Sequence, residues 1–187
     1  MGAGTGAPLC ISDQFPAQPI SAEERAGLLK MREEEKLARD VYLALYEKWN
    51  HRTFSNIAGA EQRHMDAVKC LLDKYGITDP VIDNTPGVFS DPNVRNLYQA
   101  LVTKGLTSLE NALWVGATIE DMDIYDLNTL LSQTDNDDIQ NVYTSLNNGS
   151  KNHLRAYCGV LSTFGIVYEA QYLTQNEIEE IISTPWK

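Results

Sequence analysis

The chain has 187 residues, enough for one domain with a full core and hardly for two. Its composition is that of an ordinary globular protein, with 43% hydrophobic and 22% charged residues. A net charge of −11 argues against nucleic acid and anionic membranes as partners, because both are held through basic patches. No apolar run reaches the roughly 18 residues that a membrane span requires.

The first stretch, "MGAGTGAPLCISDQFPAQP", has neither a basic n-region nor a continuous apolar h-region, so no signal peptide is expected in it. Residues 1–20 are rich in Gly, Ala and Pro and read as a poorly ordered arm. A capping box at Ser21 and Glu24 opens a helix that keeps its period to about Asn50. A second helix is expected from about Thr53 to Tyr75, ended by Gly76. Residues 77–92 carry three prolines and read as irregular. The segment "NVRNLYQALVTKG" is a short helix, and Thr107 with Glu110 forms a capping box for a helix to about Gln133. A fourth long helix spans about Asp137 to Phe164, despite an awkward "NNGS" in its middle. The tail, 166–187, carries one more capping box, Thr174 with Glu177, and a short helix. That tail helix has two surfaces to choose between, its own bundle or a second copy in a homodimer.

No alternating strand pattern competes. The outline is all-α: over residues 21–165, four long helices with one long crossover between the second and third. This is the connectivity of ferritin-like bundles.

Helical stepping then identifies what faces inward. On the first helix Leu28, Met31, Glu35, Ala38, Tyr42, Leu45 and Trp49 share a face. On the second, Ile57, Glu61, His64, Val68, Leu71 and Tyr75 do so. The third aligns Leu113, Ala117, Glu120, Ile124, Leu127 and Leu131, with Asp123 beside Glu120. The fourth aligns Ile139, Val142 or Tyr143, Leu146, Ser150, His153, Tyr157, Val160 and Phe164. Each long helix thus points an ionisable side chain at the axis.

Taken singly, an inward Glu is better explained as tilted to the edge, and an inward His as bonded to a neighbour. Six such groups on four helices repel one another and are costly to bury unless something offsets their charge. A divalent metal would do so, and carboxylate oxygen with imidazole nitrogen suits iron, manganese or zinc. Positions three apart on a helix are neighbours, so Glu61 and His64 can reach one centre. The expected ligands are Glu35, Glu61, His64, Glu120, Asp123 and His153. The third histidine, His51, lies in a turn and is expected to be solvated.

These residues also carry a resemblance. "EEEKLARDVY" resembles the first-helix element of rubrerythrins, placing the ligand on Glu35, and "EQRH" resembles their second-helix Glu-x-x-His. "IEDMDI" is similar to the third-helix Glu-x-x-Glu with Asp123 for the second Glu, and "SKNHLRAY" to the fourth-helix Glu-x-x-His with Ser150 for the Glu. The strings "EEKLARDVYLALYEKW" and "NIAGAEQRHMDAVKCLLDKYG" resemble more closely an uncharacterised ferritin-like family, domain of unknown function 2202. The resemblance covers about residues 21–165 and implies a ferritin-like fold with metal binding. Ser150 removes one carboxylate from the usual set, so the site could hold two metals asymmetrically, or one tight and one weak ion. Two irons are the favoured content.

The leading expectation is an iron or manganese oxidoreductase acting on peroxide or dioxygen, with Tyr42 or Tyr157 able to bond an oxygen species or lend an electron. The simpler role for either tyrosine is a core ring with its hydroxyl near the edge. Two other readings stand beside it: a metal-sequestering protein without turnover, and a structural bundle whose inward charges pair with Arg39 and Arg155. Under either metal reading those arginines are expected to support the carboxylates. Cys10, Cys70 and Cys158 are odd in number and widely spaced, which supports neither a disulfide framework nor a zinc site, and no CxxC pair offers a rubredoxin-like iron. Cys70 and Cys158 read as small core residues, and a soluble, cytoplasmic location is the default, an exported origin remaining open.

Overall fold

The computed structural model describes Cys10 and residues 14–185. Most of the expected N-terminal arm, residues 1–9 and 11–13, lies outside the described residues, as do the last two of the tail. Among the described residues there are six helices and no strand: α1 (Ala22–Trp49), α2 (Arg52–Lys74), α3 (Pro92–Gly105), α4 (Leu109–Leu131), α5 (Asp137–Thr163) and α6 (Gln175–Ser183). The protein is an all-α bundle.

The helix ends are set by local chemistry. Ser21 and Glu24 form the expected reciprocal cap on α1, and Thr174 with Glu177 does the same for α6. At the end of α1, Asn50 turns left-handed (φ 49°) and α2 begins at once from His51, so the two helices fold back as a tight pair. One cap differs from expectation. Ser108, not Thr107, accepts the Asn111 N–H at 3.1 Å, while the Thr107 hydroxyl donates back to the Lys104 carbonyl at 2.6 Å. Spacing alone does not separate two adjacent hydroxyl residues that compete to cap.

α1 packs along α2 and α4 along α5, and the two pairs face each other; α3 lies across α1 and α4. The core is divided. One apolar cluster gathers Leu37, Val41, Tyr42, Phe54, Leu113 and Tyr157; the other gathers Leu28, Met31, Val68, Leu71, Leu127 and Leu146. The inward ionisable residues fall between these two clusters along α1, α2 and α5, and on α4 Glu120 and Asp123 sit at the end of the first, among Ile119, Met122 and Ile124. The apolar face of α5 ends at buried Leu161, leaving Phe164, expected on it, 45% exposed beyond the helix end.

A basic stripe on α1 holds the crossover. Arg32 pairs with Asp79 at 2.9–3.2 Å, and the buried Lys36 donates to Asp40 (2.5 Å) and to the Thr85 carbonyl (2.9 Å). Arg39 donates to Asp40, Gln62 and the Asn84 carbonyl, and the Gly87 N–H closes on Asp40 at 2.9 Å. Arg39 therefore secures a loop and bonds none of the expected ligands. Arg155 is likewise directed elsewhere, donating to the Ile181 and Thr184 carbonyls of the tail. The tail packs back on its own bundle, where the fully buried Asp121 accepts from the Tyr168 hydroxyl and from the N–H groups of Gln171, Tyr172 and Leu173 at 2.6–3.1 Å.

The cysteines correct another expectation. Cys10 and Cys70 form a disulfide, with Cα atoms 5.8 Å apart, tying the arm to α2; Cys158 is free and buried. A pair 60 positions apart in sequence is brought together only by the path of the arm, which no spacing rule encodes. No described helix is long and apolar enough to cross a membrane.

Candidate metal centre

Glu61, on α2, is the hub. One carboxylate oxygen lies 2.8 Å from Nδ1 of His64, one turn along the same helix, and the other lies 2.9 Å from Nδ1 of His153 on α5. Each imidazole has a second carboxylate: Glu35 of α1 lies 3.2 Å from His64 Nδ1, and Glu120 of α4 lies 3.4 Å from His153 Nδ1. The two rings stack with centroids 5.6 Å apart. The result is two groups, Glu35–Glu61–His64 and Glu61–Glu120–His153, that share Glu61 and that could each hold a metal ion. Glu35, Glu61 and Glu120 are each at most 2% exposed.

Asp123 stands beside rather than within these groups. It is buried and accepts a hydrogen bond from the Ser150 hydroxyl, which also lies 3.0 Å from the Leu146 carbonyl. Ser150 therefore orients Asp123, a role that its reading as a lost ligand does not contain.

The electrostatics describe a cluster short of positive charge. Burial, then the charge of nearby Asp123, pushes Glu35 well above the usual carboxylate range. Burial, then Glu61, raises Glu120 to about 7; Asp123 is also raised to about 7, chiefly by burial. Glu61 goes the other way, because His153 and His64 together outweigh its burial. Burial would lower both histidines, yet the facing carboxylates lift His153 to about 10 and raise His64 well above its ordinary value. Protons on the imidazoles thus stand where a cation would stand.

Bonding geometry bears on the fit of a metal. Glu61 Oε1 and His153 Nδ1 are buried and 2.9 Å apart, but they are not aligned for a hydrogen bond with each other. Glu35 Oε1 is buried without a hydrogen-bond partner as well. Buried polar atoms left without bonds are rare, and ions held in the two groups would satisfy them. The donor set fits a hard or borderline divalent metal.

One residue that sequence reasoning missed supports this geometry. Gly149 lies against His64: a Cβ there would be 2.6 Å from Nε2, so α5 gives up a side chain to let the ring lie on its backbone. A glycine inside an unbroken helix was the available signal, present in the "NNGS" that reads only as awkward. Tyr42, fully buried, donates to Glu120 Oε1 at 2.6 Å, so its hydroxyl faces inward and not to the edge. Tyr157 is also fully buried, with no hydrogen-bond partner for its hydroxyl. His51 is half-buried with its ring edge-on to Phe54, and is not the solvated turn residue expected.

The fold and site together define a class: an all-α bundle with a buried carboxylate–histidine cluster able to take metal. Residues 24–185 match the family described as "Uncharacterized protein domain (DUF2202)", and the chain belongs to that family. It is 57% identical over 170 residues to the "Uncharacterized protein MJ0754" of Methanocaldococcus jannaschii, covering 91% of this chain and 92% of that protein. It also superposes on the crystal structure of hypothetical protein MJ0754 from Methanococcus jannaschii with a TM-score of 0.91 and 55% identity, over 92% of this chain and 99% of that one.

Proposed function

We propose that this protein is a ferritin-like, two-metal carboxylate oxidoreductase that reacts with peroxide or dioxygen, with iron the favoured metal and manganese or zinc the alternatives. The observation that carries the reading is the bridging position of Glu61 between two histidines, each with its own second carboxylate. Glu35 and His64 would hold one ion, Glu120 and His153 the other, and Glu61 both, with Asp123 positioned by Ser150 at their side. A redox-active pair of ions would supply electrons to a bound oxidant. The protein's own residues fix the donors from four helices, exclude bulk water by burial, and present the Tyr42 hydroxyl to Glu120.

The test is metal analysis after anaerobic loading with ferrous iron and desalting, followed by peroxide consumption. About two irons per chain are expected from the bridged geometry, with loss of metal in Glu61→Ala and in His153→Ala. Two retained ions without peroxide consumption would support sequestration instead. No retention of iron, manganese or zinc would sink the metal centre.

A further inference from the structure

Four aromatic rings lead from the centre to the surface. Tyr42 donates to Glu120 Oε1, while Glu120 Oε2 faces His153, so this carboxylate turns one oxygen to each side. The Tyr42 ring lies 5.4 Å from Tyr157, Tyr157 lies 5.9 Å from Phe54, and Phe54 lies 6.0 Å from His51. The first three are completely buried, and His51 opens at the α1–α2 turn.

Packing alone does not account for the chain. The buried Tyr157 hydroxyl has no hydrogen-bond partner, so a phenylalanine would fill the same space without stranding a polar atom. The ring is also accommodated at the expense of α4, where a Cβ on Gly116 would come within 2.4 Å of it. The clearance at Gly116 seats the ring beside Tyr42, and the unbonded hydroxyl is what packing leaves unexplained.

We infer that Tyr42, Tyr157, Phe54 and His51 form an electron path between the metal centre and the surface at the α1–α2 turn, with Tyr42 the ring oxidised first. The path rests on the metal-centre reading. Hydrogen peroxide beyond that consumed in taking ferrous iron to ferric is the oxidant. It leaves as two waters after accepting two protons from solvent and two electrons, one from the Tyr42 ring and one from a one-electron reductant at the surface. The phenolic O–H bond breaks, its proton moves to Glu120 Oε1, and a neutral tyrosyl radical remains. A one-electron reductant at His51 returns the electron through Phe54 and Tyr157, and the proton returns from Glu120.

The experiment loads the full chain with ferrous iron, measures the iron retained, mixes it with hydrogen peroxide in excess over that iron and freezes it for electron paramagnetic resonance. A tyrosyl signal is expected in the parent. It should be absent from a Tyr42→Phe, Tyr157→Phe double variant that still retains iron. In Phe54→Leu the signal should form normally but decay several-fold more slowly when ascorbate is added. Iron that is bound and oxidised without a tyrosyl signal, or a signal that survives in the double variant, would overturn the path and leave the metal centre standing. Decay at the parent rate in Phe54→Leu would overturn the exit through Phe54. Failure of the parent to retain iron would overturn the centre and the path together.

Discussion

At the residue scale, the sequence exposes inward ionisable residues better than it exposes what makes room for them. Glu35, Glu61, His64, Glu120 and His153 were legible because each interrupts an apolar stripe at helical spacing. Gly149 was not, because a glycine's function lies in what a neighbouring helix brings against it. Its substitution separates folding from site geometry. Gly149→Ala gains about 1 kcal/mol of helix propensity. It loses about 1–3 kcal/mol to overpacking, reduced by the freedom of the His64 ring to swing aside. Stability is therefore expected to change little, while metal analysis of the variant finds the Glu35–Glu61–His64 ion lost and its neighbour kept. Undiminished metal content would show that His64 does not need this seat.

At the element scale, the long helices and their caps followed from local pattern, and the connections did not. Arg39 reads as a partner of the inward carboxylates, and nothing in the sequence marks Arg32 or Lys36, yet all three fasten a crossover more than 40 positions away in sequence. Asp121 shows the same limit: nothing in the sequence marks it between two candidate ligands, and it is the fully buried anchor of the tail. Removing it in Asp121→Ala strands three backbone donors and the Tyr168 hydroxyl. The expected cost is about 3 kcal/mol, held to that by the tail's freedom to open to water. Hydrogen exchange should show residues 171–173 losing protection while α1 and α2 keep theirs. Protection lost evenly over the whole chain would contradict a local anchor.

At the scale of the whole molecule, the Cys10–Cys70 bridge joins the arm to α2, and residues beyond it continue the tether. Lys74 donates to the Phe15 carbonyl, Asn136 to the Pro19 carbonyl, and the Asp137 N–H to the Gln18 side chain. Closing a span of 60 residues restricts the unfolded chain by as much as about 4 kcal/mol. Denaturant unfolding should accordingly shift to lower concentration in reductant or in Cys10→Ser, with reductant adding nothing to the variant. A midpoint indifferent to both would mean that the bridge contributes no stability. Composition and cysteine count could not announce this pairing, because it depends on where an irregular segment runs.

The separation of the core into two apolar clusters reaches beyond the site that lies between them. Apolar contact alone does not carry one end of the bundle's packing to the other; the four long helices pass through a layer of charge in between. Whatever neutralises that layer, proton or ion, also determines how firmly the two ends are coupled, so the cooperativity of the whole molecule is governed from its chemical centre.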